Sequence, residues 1–342
     1  MNIQSNNIDE LLKISYRKII KDGINIISTK GGSRELIGST LRLTNPLSRI
    51  STTEDRGKIF SALGELLWYV SGNDNIEFIE YYIRKYNDFL DEGSRKLNGA
   101  YGKRIFRKDE TGLSLFEHSY KKILEKNDSR QIVIPVYIKK DLINKSKDIP
   151  CTTTLQFLKR ENKLNLIVSM RSNDAYIGLP HDIFCFTMIQ EIMARLIGCE
   201  LGEYIHFAGS LHIYEENIDQ VKKYLETDTS EIHEMPRMPD IDILNSDLKR
   251  IIRIEKEIRT KEEISLLDLS KIKKFKELNW YWQDICKIFL FFKKTKDKNK
   301  FDERELYLIK RSMKSEKYHI FMERLIQKKI KQQIQLSLFT EK

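Results

Sequence analysis

Cys151 is the side chain of this sequence most suited to nucleophilic chemistry. It follows Pro150 directly and stands between two apolar segments typical of strands, so its position in the fold should be fixed. Arg171 follows twenty residues later. An arginine beside a thiol favours the thiolate, which is the nucleophilic form of cysteine. These residues predict a reactive thiol at Cys151.

The other cysteines do not share this pattern. They are Cys185, Cys199 and Cys286, and each lies in an apolar segment, where the expected role is that of a small buried hydrophobic residue. The four cysteines fit neither the spacing of a metal site nor a disulfide framework. We therefore predict free thiols, no metal ion and a reducing cytoplasmic location.

Six motifs, taken in order, resemble those of the thymidylate synthase family, whose relatives include the cytidylate and deoxycytidylate hydroxymethylases. They are GELLWYVSGNDN at 64–75, NGAYGKRIF at 98–106, NDSRQIV at 127–133, PCTTTLQF at 150–157, RSNDAYIGLPHD at 171–182 and GSLHIY at 209–214. The resemblance covers residues 8–240. It implies an α+β fold, with a mixed β-sheet flanked by helices and a homodimer formed through the sheets.

The resemblance also implies a transferase of one-carbon groups. Cys151 would add to carbon 6 of a pyrimidine nucleotide, which makes carbon 5 nucleophilic. Glu65 would manage protons and ordered water, and Tyr101 would help to order water beside the thiol. Asp174 would act at the pterin of 5,10-methylenetetrahydrofolate, the cofactor that the family uses. The same cofactor would meet Gly178, His181 and Tyr86.

The resemblance implies a second set of residues that bind the substrate, a pyrimidine nucleoside monophosphate. Arginine and serine suit a phosphate by charge and by hydroxyl donation. The phosphate residues would be Arg171 and Ser172, while Arg130 would reach the phosphate bound by the partner subunit. The sugar hydroxyl would be bound by His212 and Tyr214.

Asp182 departs from the family pattern, because the family reads uracil with an asparagine at this position. Uracil offers an acceptor at position 4 and a donor at position 3, which an amide matches. Cytosine offers the reverse, and a carboxyl group can accept from its amino group and, when protonated, donate to its ring nitrogen. A site with mismatched buried polar groups discriminates strongly. Asp182 therefore favours a cytosine nucleotide.

Other departures concern the phosphate, the sugar and the chain's end. Thr152 stands where a histidine is common, Ser210 replaces an aspartate, and Gln131 replaces a second arginine. Lys30 or Arg34 is a candidate for the missing phosphate contact. The final LSLFTEK lacks the family's terminal segment, which excludes water from the site. A site open to water favours hydroxymethylation over methylation.

Hydrophobic periodicity predicts the elements that must position these residues. Helices are predicted at 8–22, 57–70, 75–90 and 182–198. Strands are predicted at 35–45, 130–137, 153–169 and 201–209, the third of them a hairpin that turns at 160–163. Since no run of 18 apolar residues is present, no membrane span is predicted.

Residues 241–342 differ in composition from the rest of the chain. They hold 26 basic and 16 acidic residues, which accounts for the whole net charge of +10. We predict a catalytic domain at 1–240 and a basic helical extension at 241–342. Aromatic residues such as Trp282 and Phe291 favour packing of the extension on the core. A nucleic-acid surface and a membrane-surface helix are the less favoured alternatives.

Three functional hypotheses follow from these patterns. The first is folate-dependent 5-hydroxymethylation of CMP or dCMP. The second is a divergent thymidylate synthase that methylates dUMP. The third is a nucleotide-sensing or nucleic-acid-binding protein on a retired enzyme scaffold. Ribose against deoxyribose stays open, because His212 and Tyr214 would address a hydroxyl present in both sugars.

Overall fold

The computed structural model describes residues 1–28, 31–53, 56–228, 231–296 and 301–340. The strands are β1 (Asn2–Ser5), β2 (Ile24–Ser28), β3 (Gly31–Leu43), β4 (Val133–Pro135), β5 (Thr152–Arg160), β6 (Lys163–Asp174) and β7 (Glu200–Tyr214). The helices before residue 240 are α1 (Ile8–Asp22), α2 (Ile59–Val70), α3 (Ile76–Tyr82), α4 (Tyr101–Ile105), α5 (Leu115–Glu125), α6 (Lys139–Ile143), α7 (Gly178–Leu196) and α8 (Ile218–Glu226). The later helices are α9 (Ile241–Thr260), α10 (Leu266–Lys271), α11 (Lys273–Lys276), α12 (Trp280–Lys296), α13 (Glu303–Arg311) and α14 (His319–Thr340).

The strands form one mixed sheet in the order β1-β3-β7-β6-β5-β4, with β2 paired to β3. β3 is antiparallel to β7 and β5 to β6, whereas β6 and β7 are parallel. Parallel neighbours need a crossover connection, and α7 supplies it while packing against both strands. The predicted α+β fold, a mixed sheet flanked by helices, is confirmed. The crossover also brings the end of β6 next to the start of α7.

Most predicted elements are present, and two differ in an informative way. The predicted helix 8–22 is α1, and the predicted hairpin turns at Glu161 and Asn162, whose φ angles of 47° and 61° suit a tight turn. The predicted helix 75–90 is interrupted at Ile83, whose extended backbone is followed by a 3₁₀ helix. The helix predicted to begin at 182 begins at Gly178, so Asp182 lies in its second turn and does not cap it.

The helices after residue 240 contribute to the same hydrophobic core as the sheet. Phe60 of α2 stacks against Phe291 and Phe292 of α12, with ring centroids 5.7 Å apart in both pairs. Of the aromatic residues predicted to form an apolar face, Trp282 is fully buried whereas Trp280 is 42% exposed. The C-terminal helices therefore pack against α2 and stabilise its position.

A buried ion pair joins two parts of this core. The Arg49 guanidinium donates to Glu191 Oε2 at 2.6 Å, and both side chains are fully buried. The backbone N–H of Met238 donates to Glu191 Oε1 at 2.8 Å. Glu191 thus connects the segment before α2, the middle of α7 and the chain that leads into α9.

Replacing Glu191 by alanine is expected to lower the free energy of unfolding by about 3–5 kcal/mol, because it leaves a buried guanidinium unpaired. Urea denaturation followed by circular dichroism measures the change. The double variant Arg49→Met/Glu191→Leu is the control, since it removes both charges, and it should recover most of the loss. A loss of less than about 1 kcal/mol in Glu191→Ala would contradict the prediction.

Candidate active site

Cys151 lies directly before β5 and is half-buried. Its carbonyl accepts a hydrogen bond of 2.8 Å from the backbone N–H of Arg171. The Arg171 guanidinium donates to the carbonyls of Pro150 and Ile149, both at 2.9 Å. The backbone of Cys151 is therefore held by β6, and the positive charge of Arg171 lies beside this segment.

Tyr101 supports the other side of the same segment. Its hydroxyl oxygen accepts a hydrogen bond of 3.2 Å from the N–H of Thr152. Burial, together with the charges of Cys151 and Asp182, raises the pKa of Tyr101 well above its ordinary value. Its hydroxyl therefore keeps its proton and can donate to a water or substrate beside the thiol.

Glu65 is the centre of a polar cluster on α2. His181 Nδ1 lies 2.7 Å from Glu65 Oε2, and the Tyr69 hydroxyl donates to Oε1 at 3.0 Å. The Tyr86 hydroxyl also donates to Oε1. Burial raises the pKa of Glu65, but the hydrogen bond and the charge interaction with His181, together with the hydrogen bonds from the two tyrosines, outweigh it and leave the pKa below its ordinary value. Glu65 therefore stays ionised although it is buried.

Replacing Glu65 by glutamine is expected to lower kcat by about 10²–10³-fold, because the uncharged amide holds the His181 ring more weakly than the carboxylate does. Glutamine retains an acceptor for the two tyrosines, so the thermal midpoint should change little. Initial rates of product formation and a thermal melt test both statements. Glu77→Gln is the matched control, since that exposed carboxylate binds only Arg95 at the surface. A kcat within about threefold of the unaltered enzyme would remove Glu65 from the chemistry.

Asp182 lies in the second turn of α7 and is 9% exposed. Asn173 Nδ2 donates to Asp182 Oδ2 at 2.7 Å, whereas Asn173 Oδ1 is buried without a hydrogen-bond partner in the described residues. Burial first, and then the negative charge of Glu65, raise the pKa of Asp182 well above its ordinary value. The site thus favours a neutral carboxyl at the position that would read a base. A side chain added at Gly178 would press against both groups, at 3.3 Å from Asn173 Nδ2 and 3.5 Å from Asp182 Oδ2.

The sheet register aligns the residues expected to bind the sugar and phosphate. Asp174, His212 and Glu35 form one row across β6, β7 and β3, while Ser172 and Ser210 form the adjacent row. Residues paired in this way lie about 5 Å apart on one face of the sheet. The Ser210 hydroxyl donates to Glu35, and the rings of His212 and Tyr214 meet edge to face at 5.0 Å. Ser210 stands where the family has an aspartate. In this chain the carboxylate of Glu35, on the neighbouring strand β3, contacts the Ser210 hydroxyl.

Three further candidates lie apart from this cluster. Arg130 is exposed before β4, and its carbonyl accepts a hydrogen bond of 3.0 Å from Gln156 Nε2. Arg34 donates to the carbonyl of Ile20, and because side chains alternate along a strand it lies on the other face of β3 from Glu35. Lys30 lies outside the described residues. This single subunit therefore brings neither Arg130 nor Arg34 to the Cys151 site.

The remaining predicted cofactor residues lie around Glu65 and at the start of α7. Asp174 Oδ1 accepts from the N–H groups of Tyr176 and Ile177, at 2.9 and 3.1 Å, and so shapes the turn into the helix. His181 lines a small cavity between α2 and α7 together with Arg49, Arg56, Lys58 and Phe184. Tyr86 and His181 were expected to face the cofactor, and both contact Glu65 directly.

The structure adds three side chains that the motifs did not single out. Tyr69 stands one helical turn after Glu65, a spacing that places two side chains on one face, so the sequence carried a signal for it. Asn173 sits beside a predicted phosphate residue but points to Asp182. Glu35 is 175 residues from Ser210, and only the strand register reveals the contact.

Metal-binding clusters and membrane-spanning helices are both absent from the described parts of the chain. No group of three or more histidine, cysteine, aspartate or glutamate side chains there is placed to hold a metal ion. No helix among those residues is long and apolar enough to cross a membrane.

Comparison with known proteins identifies similar sequences. The family described as thymidylate synthase matches residues 15–285, a range that extends into α12. A thymidylate synthase from Francisella philomiragia is 26% identical over 231 residues, which cover 62% of this chain and 82% of that protein. A deoxyuridylate hydroxymethyltransferase from Bacillus phage SP01 is 30% identical over 209 residues, covering 57% of this chain and 54% of that protein.

Proposed function

Because this chain belongs to the thymidylate synthase family and is a transferase of one-carbon groups to carbon 5 of a pyrimidine, we propose that it hydroxymethylates a cytosine nucleoside monophosphate. The observation that carries the proposal is the buried carboxyl of Asp182 with its hydrogen bond from Asn173. The retired-scaffold hypothesis is not retained, since the family match and the retained Cys151 and Glu65 favour an enzyme.

The choice of cytosine rests on hydrogen-bond polarity. Asn173 donates to Oδ2 of Asp182, so Oδ2 serves as the acceptor oxygen and the proton of the neutral acid belongs on Oδ1. Such a carboxyl accepts from the amino group at position 4 of cytosine and donates to ring nitrogen 3. Donation to nitrogen 3 also stabilises the negative charge that develops there after a thiolate adds to carbon 6.

The thiol step would use groups around Cys151. Its Sγ would attack carbon 6, helped by the neighbouring Arg171 charge, and Tyr101 would hold water near the ring. Ser172 and Arg171 would bind the phosphate, and His212 with Tyr214 the sugar hydroxyl. We propose a homodimer in which Arg130 reaches the phosphate bound by the partner subunit. The exposed position of Arg130 on this chain is consistent with that role.

The proposed one-carbon donor is 5,10-methylenetetrahydrofolate, which supplies a carbon at the oxidation level of formaldehyde. The cavity beside His181 has a basic lining of Arg49, Arg56 and Lys58. Arg56 Nε is buried without a hydrogen-bond partner among the described residues. The positive charges of Arg56 and Lys58 would attract an anionic cosubstrate such as a folate to this side of the site. Asp174, Gly178, His181 and Tyr86 would adjoin its pterin ring.

We place the enzyme in the cytoplasm, because the proposed chemistry needs a reduced Cys151 and none of the four cysteines, all within the described residues, forms a disulfide. Every proposed site residue lies within 1–240, the proposed catalytic domain. The extension at 241–342 would act as its support. Burial of the aromatic side chains of α12 in the core favours this role over a nucleic-acid surface.

Tritium release from carbon 5 tests the proposal. The enzyme is incubated with methylenetetrahydrofolate and CMP, dCMP, UMP or dUMP labelled at that carbon, and the products are identified by mass spectrometry. Release from CMP or dCMP with a 5-hydroxymethyl product is the expected result. Release from uracil nucleotides alone contradicts the cytosine assignment. Formation of dihydrofolate with a methylated base contradicts hydroxymethylation.

A uracil nucleotide is the second candidate substrate. A neutral carboxyl can also donate to the oxygen at position 4 and accept from the N–H at position 3, if its proton lies on the other oxygen. The similar phage protein is named for deoxyuridylate hydroxymethylation. A divergent thymidylate synthase would also act on a uracil nucleotide, dUMP. Its methylated product would distinguish it from a uracil hydroxymethylase.

A further inference from the structure

The Glu65–His181 pair carries an inference about the water that the proposed reaction consumes. Both oxygens of Glu65 are occupied, Oε1 by the two tyrosines and Oε2 by His181 Nδ1 at 2.7 Å. Hydrogen bonds hold the pKa of Glu65 below its ordinary value despite burial. An ionised carboxylate so fully bound is a weak base and cannot easily approach a new proton. It can, however, orient a histidine.

The orientation of His181 follows from this contact. A carboxylate accepts hydrogen bonds, so Nδ1 carries the proton and Nε2 carries the lone pair of the neutral ring. Nε2 lies 3.4 Å from the hydroxyl of Ser61, which can donate to it or to a water beside it. The His181 side chain is 20% exposed and lines the cavity between α2 and α7. The free nitrogen therefore lies at a cavity, as a base that acts on water requires.

Charged groups face the His181 ring from α2, from α7 and from the segment before α2. Glu65 faces it from α2, and Asp182 is its neighbour on α7. Arg49, Arg56 and Lys58, from the segment before α2, line the same cavity. Glu65 places a negative charge on one side of the ring, whereas Arg56 and Lys58 place positive charge at the cavity.

We propose that His181 is the general base that adds water to the one-carbon unit, a role that rests on the proposed hydroxymethylation. After transfer, the substrate carries a C5=CH₂ group and a bond from Cys151 Sγ to carbon 6. The water oxygen forms a bond to the CH₂ carbon, and its proton passes to His181 Nε2. The electron pair of C5=CH₂ moves towards ring nitrogen 3, next to the Asp182 hydroxyl. It then returns to form C5=C6 as Sγ leaves as thiolate.

The step consumes one water and needs no oxidant or reductant. The proton on His181 is released to solvent, and the thiolate is regenerated. Glu65 acts here as a positioning residue, because it fixes the ring and its tautomer. His181, the proposed base that activates water, therefore directly precedes Asp182, the residue proposed to read the pyrimidine base.

Two variants test the role with the full-length enzyme. His181→Phe and His181→Gln should keep CMP binding, while the amount of 5-hydroxymethyl-CMP formed per tritium released from carbon 5 falls about 10²–10³-fold. An added thiol should then trap the CH₂ group, giving a thioether product seen by mass spectrometry. The rate of hydroxymethylation should also lose one ionisation from its pH profile. His118→Gln is the matched control, since that histidine lies at the surface, where it contacts Thr111 and Asp109.

A second readout needs no cofactor. The ¹⁵N spectrum of the His181 ring in the free enzyme should show a protonated Nδ1 and a bare Nε2, and Glu65→Gln should disturb this pattern. The opposite tautomer, or an unchanged hydroxymethylation rate and pH profile in both His181 variants, overturns the role of His181 alone. If the unaltered enzyme releases tritium but forms a methyl product, the proposed function fails and this role fails with it.

Discussion

Cys151→Ser is expected to lower product formation by at least about 10³-fold, because an alcohol at neutral pH is a far weaker nucleophile than a thiolate. The covalent enzyme–nucleotide adduct should disappear from the mass spectrum of the intact protein. Nucleotide binding should remain, since Arg171, Ser172 and Asp182 are unchanged. Initial rates, adduct mass and calorimetric binding of CMP measure the three effects.

The control for this variant is Cys199→Ala. It removes a buried thiol from the turn between α7 and β7 and leaves the half-buried Cys151 in place. Its adduct should form as in the unaltered enzyme. An adduct that persists in Cys151→Ser, or that maps to Cys185, would show that another group is the nucleophile.

Asp182→Asn is expected to reverse the choice of base. The amide should lower kcat/KM for CMP and raise it for the matching uracil nucleotide, with a combined swing of about 10⁴-fold, because each base leaves the wrong site with unpaired buried groups. Competition between labelled CMP and UMP in one reaction measures the ratio directly. Asp182→Ala is the control and should act poorly on both bases. An unchanged ratio in Asp182→Asn would remove Asp182 from base selection.

The same substitution has an expected effect on stability. Because the pKa of Asp182 is raised in the folded state, its contribution is fully present below the unfolded pKa and is lost as pH rises through the folded pKa. Asparagine has no such loss. At neutral pH the variant should therefore be more stable by about 0.5–2 kcal/mol, and the gain should vanish below about pH 4. Thermal melts across this pH range test the sign.

Local structure was largely predictable from the sequence. The apolar spacing of residues 8–22 matches α1 to the residue, and the hairpin turn falls at Glu161 and Asn162 as the polar break predicted. Both signals are local, since they depend on neighbours within one helical turn or one hairpin. The motifs also indicated the chemistry, because six of them, including the one that contains Cys151, follow one another along the chain in the same order as in the family.

The start of α7 shows where local patterns end. Hydrophobic periodicity placed this helix at 182–198, with Asp182 near its start. The crossover from β6 instead begins the helix at Gly178, where the absence of a side chain leaves room for Asn173 and Asp182. Asp182 consequently becomes a buried group beside a hydrogen-bond donor, which explains its raised pKa.

The sequence by itself identified the proposed nucleophile, the family resemblance and the unusual residue at the position proposed to read the base. Only the tertiary structure decided what each polar group contacts. Glu65 meets His181 across 116 residues, and Ser210 meets Glu35 across 175. Hydrophobic periodicity specifies which face of an element is buried, but it carries no information on the partner of a buried polar group. That partner depends on strand register and on helix packing between distant segments. The Asn173–Asp182 pair and the Glu65–His181 pair therefore became visible only in the fold.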